Sequence, residues 1–149
     1  HVNSLLEDAL SKGAKALSGG KSDTVLMPAT VVDGVTNAMN LYSDESFGPI
    51  VAIIRAKDEA DAIRLANDTQ YGLSASVFTK DIARGLKVAR QIQSGICHVN
   101  GPTVHDEAQM PFGGVGASGY GRFGGKAGID SFTELRWITV ETQPGHYPI

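Results

Sequence analysis

The sequence predicts an α/β protein, a three-layer arrangement in which a parallel sheet is joined by helical crossovers. Three observations lead there. Strand-like and helix-like patterns alternate over residues 50–100, in the order strand, helix, strand, helix, strand, with short connections. The first of those strands, Ile50-Val51-Ala52-Ile53-Ile54, is apolar without a break, which suits a strand covered on both faces. The two intervening helices each carry an apolar stripe and an acidic residue placed to cap them.

Taken in order, residues 2–17 place Val2, Leu5, Leu6, Ala9, Leu10 and Leu17 near helical spacing, with Ser11, Lys12 and Lys15 opposite. They predict an amphipathic helix ended by Gly19-Gly20. Residues 25–35 carry β-branched residues around Pro28 and predict a strand broken by a bend. A short helix or loop over residues 41–45 then leads into Glu45-Ser46-Phe47-Gly48-Pro49, directly ahead of the apolar run. Gly48 permits unusual backbone angles and Pro49 fixes φ, so Glu45 and Phe47 sit on a loop beside a sheet edge. Spacing alone leaves open whether Phe47 packs inward or is presented outward.

Asp58 is placed to cap a helix bearing Ala60, Ile63 and Ala66, widened by Ala62 and Leu65 and ending near Asn67-Asp68. Residues 73–78 form the next strand. Thr79 or Asp81 caps a helix whose stripe is Ile82, Leu86, Ala89 and Ile92. Gly85 inside it costs about 1 kcal/mol relative to Ala, and Gly95 stops it. Residues 96–100 form another strand. A loop follows through Arg122, then a final helix over 125–133 and a last strand over 135–141. In that strand Leu135, Trp137, Thr139 and Glu141 alternate with Arg136, Ile138 and Val140, which suits strand addition onto a neighbouring subunit. Residues 142–149 hold two prolines and are expected to run over the surface.

Length and composition narrow the class. A chain of 149 residues is one domain's worth of core. A net charge of −3 without a basic run argues against a nucleic-acid or anionic-membrane surface. No apolar stretch reaches the length of a membrane span and no signal peptide opens the chain. The lone cysteine, Cys97, excludes an intrachain disulfide framework and fits a reducing compartment, with the cytoplasm expected. The chain opens His1-Val2-Asn3-Ser4 and enters a helical pattern at once, which suggests a piece of a longer protein. Eight of the 18 glycines fall between Pro111 and Gly128, marking special backbone conformations, mobility or both.

No residue here reads as a complete catalytic set. Cys97 and His98 are neighbours on a strand and point to opposite faces, so they do not make a nucleophile–base pair. A lone Cys is more simply a small buried hydrophobe. His105-Asp106-Glu107 is too local for a metal centre, and no Cys/His spacing suits zinc. The glycines lack the spacing of a phosphate-cradling loop.

Four stretches nevertheless resemble, in order, motifs of the NAD(P)-dependent aldehyde dehydrogenase superfamily. Glu45-Ser46-Phe47-Gly48-Pro49 resembles its E-x-F-G-P motif, and Asp68-Thr69-Gln70-Tyr71-Gly72-Leu73-Ser74-Ala75 its N-x-x-x-Y-G-L-x-A segment. Gly95-Ile96-Cys97-His98-Val99-Asn100 resembles the G-x-x-x-(V/I)-N strand. Pro111-Phe112-Gly113-Gly114 with Ser118-Gly119 resembles P-F-G-G-x-K-x-S-G. Any one would be weak, but the ordered set spans essentially the whole chain.

The resemblance implies that Glu45 accepts hydrogen bonds from the nicotinamide ribose hydroxyls of NAD or NADP, and that Phe47 packs by the nicotinamide ring. It implies that Phe112 lines a substrate funnel bordered by Asn100 and by the loop carrying Val104 and His105. It assigns residues 1–134 to part of a catalytic domain and residues 135–149 to an oligomerisation strand and tail, within a dimer or tetramer. The family's nucleophilic cysteine, general-base glutamate and oxyanion-stabilising asparagine have no counterpart here, so no catalytic residue and no metal ligand is expected in this chain. Gly116 stands where the family commonly has lysine, which predicts a looser, uncharged loop. The run Gly101-Pro102-Thr103-Val104-His105-Asp106-Glu107-Ala108-Gln109-Met110 resembles enzymes acting on benzaldehyde, salicylaldehyde or vanillin. The expected activity is oxidation of an aromatic aldehyde to its acid by the longer protein, with this chain inactive alone. A free-standing α/β binding or oligomerisation module and part of a CoA-acylating relative are the alternatives.

Overall fold

The computed structural model describes residues 1–146. Helix α1 (Val2–Ser11) buries Leu5, Leu6 and Ala9, the stripe its spacing predicts. It ends sooner than expected. Gly13 takes φ 98°, a left-handed conformation that glycine adopts without a Cβ penalty, and the Lys12 N–H closes onto the carbonyls of Asp8 and Ala9. Residues 15–18 therefore leave the expected helix and form strand β1 (Lys15–Ser18).

β1 pairs antiparallel with β2 (Thr30–Asp33), Lys15 lying opposite Asp33. β2 pairs in parallel with β3 (Ile50–Ile53), Thr30 opposite Ile50. Between them the short helix α2 (Asn40–Ser43) closes over α1. Leu5, Leu6, Ala9, Ala14, Val32, Val35, Met39 and Leu41 form one buried cluster under that cover. Thr30 is buried with them, its hydroxyl donating to the Pro28 carbonyl at 2.8 Å and accepting from the Gly20 N–H at 3.1 Å. A buried hydroxyl needs such partners.

Helix α3 (Glu59–Asn67) is capped as predicted, Asp58 Oδ1 accepting from the Asp61 N–H at 2.8 Å. Strand β4 (Ser74–Val77) follows, then α4 (Ile82–Ala89), capped by Asp81 rather than Thr79, with Asp81 Oδ1 accepting from the Arg84 N–H at 3.0 Å. Strand β5 (Ile96–Val99) pairs in parallel with β4, Ser74 opposite Ile96. Gly85 has a packing reason. A Cβ there would lie 2.8 Å from Val99 Cγ1 and 2.9 Å from Thr79 Cγ2, so its absence lets α4 sit down on β5.

The parallel crossovers are present, but they do not share one sheet. The strands divide into a three-stranded sheet, β1-β2-β3, and a two-stranded sheet, β4-β5. Alternating pattern reveals which faces of a strand are covered, not which strand is its hydrogen-bonded neighbour. Helix α3 thus carries the chain from one sheet to the other.

After a 3-10 turn at Gly116–Ser118, the last helix, α5 (Gly125–Ser131), ends two residues before the expected limit. Residues 135–141 do not form the expected strand. They extend with no ladder partner among the described residues, and Leu135 and Trp137 are almost fully exposed. A strand exists only through pairing, and this segment pairs with no strand among the described residues. The surface tail expected over 142–149 lies partly outside the described residues.

Two predictions follow from this packing. Leu6→Ala removes the most completely enclosed leucine and should cost about 2–5 kcal/mol; a loss below about 1 kcal/mol in urea unfolding would show that the core lies elsewhere. The second concerns acid. The Arg55 guanidinium, bonded to both carboxylate oxygens at 3.1 and 2.7 Å, holds Asp33 below the usual carboxylate range. The Lys57 N–H and Arg64 do the same for Asp61. A carboxylate lowered by folding stabilises fully above its unfolded value, and that stability is lost as pH falls through the folded value. The urea midpoint should therefore fall between about pH 5 and pH 2, and fall less in Asp33→Asn. An equal fall in both would remove Asp33 from the account.

Candidate functional site

Three of the recognised motifs meet at one residue. The Gly72 carbonyl accepts from the Gly95 and Val115 N–H groups, both at 3.0 Å, and its own N–H donates to Ser118 Oγ at 3.0 Å. Two residues earlier along the same seam, the Gln70 carbonyl accepts from the Ala117 N–H at 2.8 Å. The glycine-rich stretch is thereby fastened against the starts of β4 and β5. Phe112 and Phe123 exchange backbone bonds at 2.8 and 2.7 Å, and Arg122 Nη1 donates to the Gly114 carbonyl at 2.9 Å. Of the two expectations for these glycines, special conformation is what the structure has: six residues from Gly113 to Gly125 have positive φ. Gly116 is uncharged but not loose. It takes φ 60°, and a Cβ would lie 2.5 Å from the Gln70 carbonyl oxygen, so a side chain at 116 meets backbone in this chain.

The fastening shapes a cavity of about 450 Å³ between β5 and the stretch before the Phe112–Phe123 bridge. Ile96, Cys97 and His98 form one wall; Met110, Pro111 and Phe112 form another; His105, Asp106 and Glu107 supply polar groups. The His98 and His105 rings meet edge to face with centroids 5.7 Å apart. His105 Nε2 lies 3.4 Å from Glu107 Oε1. His98 Nε2 is buried and has no hydrogen-bond partner among the described residues. Burial pushes the half-buried Cys97 thiol up, which keeps it protonated and a poor nucleophile.

Of the substrate-side residues expected from sequence, this cavity gathers His105 and Phe112. Val104 is exposed outside it. Asn100 is engaged elsewhere: it takes φ 59°, its Oδ1 accepts from the Thr79 N–H and its Nδ2 donates to the Thr79 carbonyl, both at 2.8 Å. Such double bonding fixes the turn that starts the 101–105 loop. Ser76 Oγ and Ser74 Oγ hold the same loop through the carbonyls of Gly101 and Thr103.

The coenzyme-side pair lies in the other half of the chain, before β3. Phe47 adopts φ 43°, unusual for an aromatic residue, and its ring is 88% exposed. Of the two readings that spacing left open for Phe47, outward presentation is what the structure has. Glu45 is exposed, and its carboxylate makes no hydrogen bond or ion pair among the described residues. It borders a concavity with Tyr42, Thr69 and Ser74, while Phe47 borders a separate one with Val2, Met27 and Pro49. A free carboxylate can accept from both hydroxyls of a vicinal diol, and a free aromatic face can take a planar ring. The residues present fit a nicotinamide ribose. Among the described residues, no group of three or more His, Cys, Asp or Glu side chains is placed to hold a metal ion.

Sequence reasoning missed Gly72 and Ser118 as fasteners, though both lie within quoted motifs. It also missed His98 as a wall of the cavity, because a lone histidine on a strand carries no spacing signal.

Comparison with known proteins bears on the whole chain. Residues 1–138 match the aldehyde dehydrogenase family. Vanillin dehydrogenase of Pseudomonas fluorescens is 52% identical over 148 residues, covering 99% of this chain and 31% of the relative. A benzaldehyde dehydrogenase [NAD(+)] of Pseudomonas putida is 40% identical over 148 residues, covering 99% and 30%. The crystal structure of a salicylaldehyde dehydrogenase from Pseudomonas putida G7 complexed with salicylaldehyde superposes with a TM-score of 0.94 at 51% identity, covering 99% and 31%. That of an NADP-dependent glyceraldehyde-3-phosphate dehydrogenase from Bacillus halodurans C-125 complexed with NADP gives 0.86 at 41% identity, covering 91% and 28%. The chain thus spans about a third of the length of the relatives it matches. With a family match running from the first residue to the exposed tail, and an α/β fold shared with these enzymes, the chain belongs to the aldehyde dehydrogenase family.

Proposed function

We propose that this chain serves as part of an NAD- or NADP-dependent aldehyde dehydrogenase that oxidises an aromatic aldehyde to the carboxylic acid. The observation that carries the proposal is that one loop presents both Glu45 and Phe47, the first a carboxylate without a partner among the described residues, the second an exposed ring on a left-handed backbone. The vanillin, salicylaldehyde and benzaldehyde names of the similar enzymes support the aromatic substrate.

In this reading a bound nicotinamide coenzyme supplies the hydride acceptor for an aldehyde held on a cysteine outside this chain. Glu45 holds the ribose by charge-assisted hydrogen bonds and Phe47 limits the tilt of the ring. Phe112 and His105 line the substrate funnel. Asn100 works at one remove, by fixing the loop whose Val104 borders the funnel mouth. Residues 1–134 contribute to the catalytic domain, while the strand-like stretch 135–141 pairs with a neighbouring subunit of a cytoplasmic homo-oligomer. The exposed apolar side chains of α4 and of residues 135–140 support both parts of that arrangement: Ile82 and Leu86 would be covered by the rest of the protein, Leu135 and Trp137 by the neighbour.

Glu45→Ala in the full-length protein tests the proposal. Loss of hydrogen bonds to a charged group, worth roughly 1.5–3 kcal/mol, should weaken coenzyme binding about tenfold to a hundredfold and leave the KM for aldehyde within about twofold. Unchanged coenzyme affinity together with an unchanged rate of hydride transfer would remove Glu45 from the site.

A further inference from the structure

The chain before α3 and the chain after it belong to different sheets, and the segment through α3 is their covalent link. Among the described residues, one hydrogen bond also joins residues 1–56 to residues 58–146. Tyr42, on α2, donates its hydroxyl to Asp68 Oδ2 at 2.6 Å. The contact ties α2 to the far end of α3, where Asp68 is the C-terminal cap. A carboxylate there stands against the helix dipole, so helix energetics alone do not account for it. The carboxylate charge strengthens the bond. The bond in turn pushes the Tyr42 phenol up, which keeps the donor protonated. The Tyr42 ring packs on the sealed cluster around Leu6, so this end of the tie is anchored.

The tie spans a cleft between the two parts of the chain. Tyr42 and Glu45, before α3, and Thr69, Gly72 and Ser118, after it, line one concavity of about 390 Å³. Tyr42 stands three residues before Glu45, and Asp68 four before Gly72. The bond therefore fixes the loop that carries the coenzyme-side carboxylate against the junction on which the substrate-side cavity is built.

We propose that Tyr42 and Asp68 are positioning residues for hydride transfer, their bond setting the separation of the Glu45 loop and the Gly72 junction. The inference rests on the function proposed above and adds a pair that acts through Glu45 and Gly72 rather than on the reacting atoms. Hydride transfer needs its two carbons held in a near-attack geometry, and a misplacement of about 1 Å can cost roughly a hundredfold in rate. Binding depends less on that separation, because coenzyme and aldehyde each have contacts within one part of the chain. Loss of the tie is therefore expected in the chemical step rather than in KM.

The test uses the full-length enzyme with an aromatic aldehyde, and with the same aldehyde deuterated at the carbonyl carbon. Tyr42→Phe keeps the packed ring and removes the donor. It should slow coenzyme reduction in a single turnover about tenfold and enlarge the isotope effect on kcat. The KM for aldehyde and the Kd for coenzyme should stay within about twofold. Asp68→Ala should match it, and Asp68→Asn, which keeps an acceptor oxygen, should recover most of the loss. The double variant Tyr42→Phe/Asp68→Ala should be no slower than either single one, since one contact is not lost twice. An unchanged single-turnover rate in Tyr42→Phe would overturn the inference. So would losses that multiply in the double variant, or a loss that Asp68→Asn shares in full. If Tyr42→Phe does not fold, the two substitutions at the exposed Asp68 decide the matter alone. Weakened coenzyme binding in Glu45→Ala beside an unchanged Tyr42→Phe would leave the proposed function standing and remove the tie. A full-length protein that oxidises no aldehyde with either coenzyme would remove both.

Discussion

Much of the second half of this chain depends on the backbone of Gly72. Its carbonyl accepts from two N–H groups and its own N–H donates to a serine hydroxyl, so two distant stretches, at Gly95 and at Val115 to Ser118, converge on one residue. Each bond is worth only about 1 kcal/mol net, but together they fix geometry. They set the start of β4 against the start of β5 and dock the glycine-rich stretch across both. The cavity walls at Ile96 to His98 and Met110 to Phe112 are neighbours because of that junction. A side chain at Gly72 would meet the Gln93 carbonyl at 2.7 Å and Val115 Cγ2 at 2.6 Å, so the junction admits only glycine at this approach.

The two halves of the chain are stabilised by different means. The first seals a hydrophobic cluster between α1, α2 and the three-stranded sheet, with Leu6 and Val32 shut off from solvent. The second buries little so completely. Among α3, α4 and α5 the only buried position is Gly85, and the α4 stripe remains half open at Ile82 and Leu86. There, polar fastening and close glycine contacts set the shape. Hydrogen bonds specify geometry well but contribute less than apolar burial. The half that carries the cavity is therefore well defined in shape while standing on little enclosed apolar surface.

What the sequence made legible follows from local physics. The stripe of α1 and the caps at Asp58 and Asp81 could be read because helix periodicity and capping act over three or four residues. The ordered motifs revealed the family. Other features could not be read because they depend on distant partners. Nothing local marks residues 15–18 as a strand, since Asp33 opposite Lys15 makes it one. The division into two sheets is a matter of pairing across space. The left-handed backbone of Phe47 is imposed by the surrounding turn against the preference of an aromatic residue, whereas Asn100, also left-handed, is a type that tolerates that region. The orphaned nitrogen of His98 is a property of its enclosure, not of its neighbours in sequence.

The exposed tail has an optical consequence. The chain has one tryptophan, Trp137, and its indole is 91% exposed, far along the chain from the sealed cluster around Leu6. Its emission in the isolated chain is already that of an indole in water. Melting of the core would leave that emission almost unchanged, so the usual intrinsic-fluorescence assay would be nearly blind to unfolding here. The same placement makes Trp137 a built-in reporter for assembly: any surface that covers the tail shifts its spectrum to the blue, with no label attached.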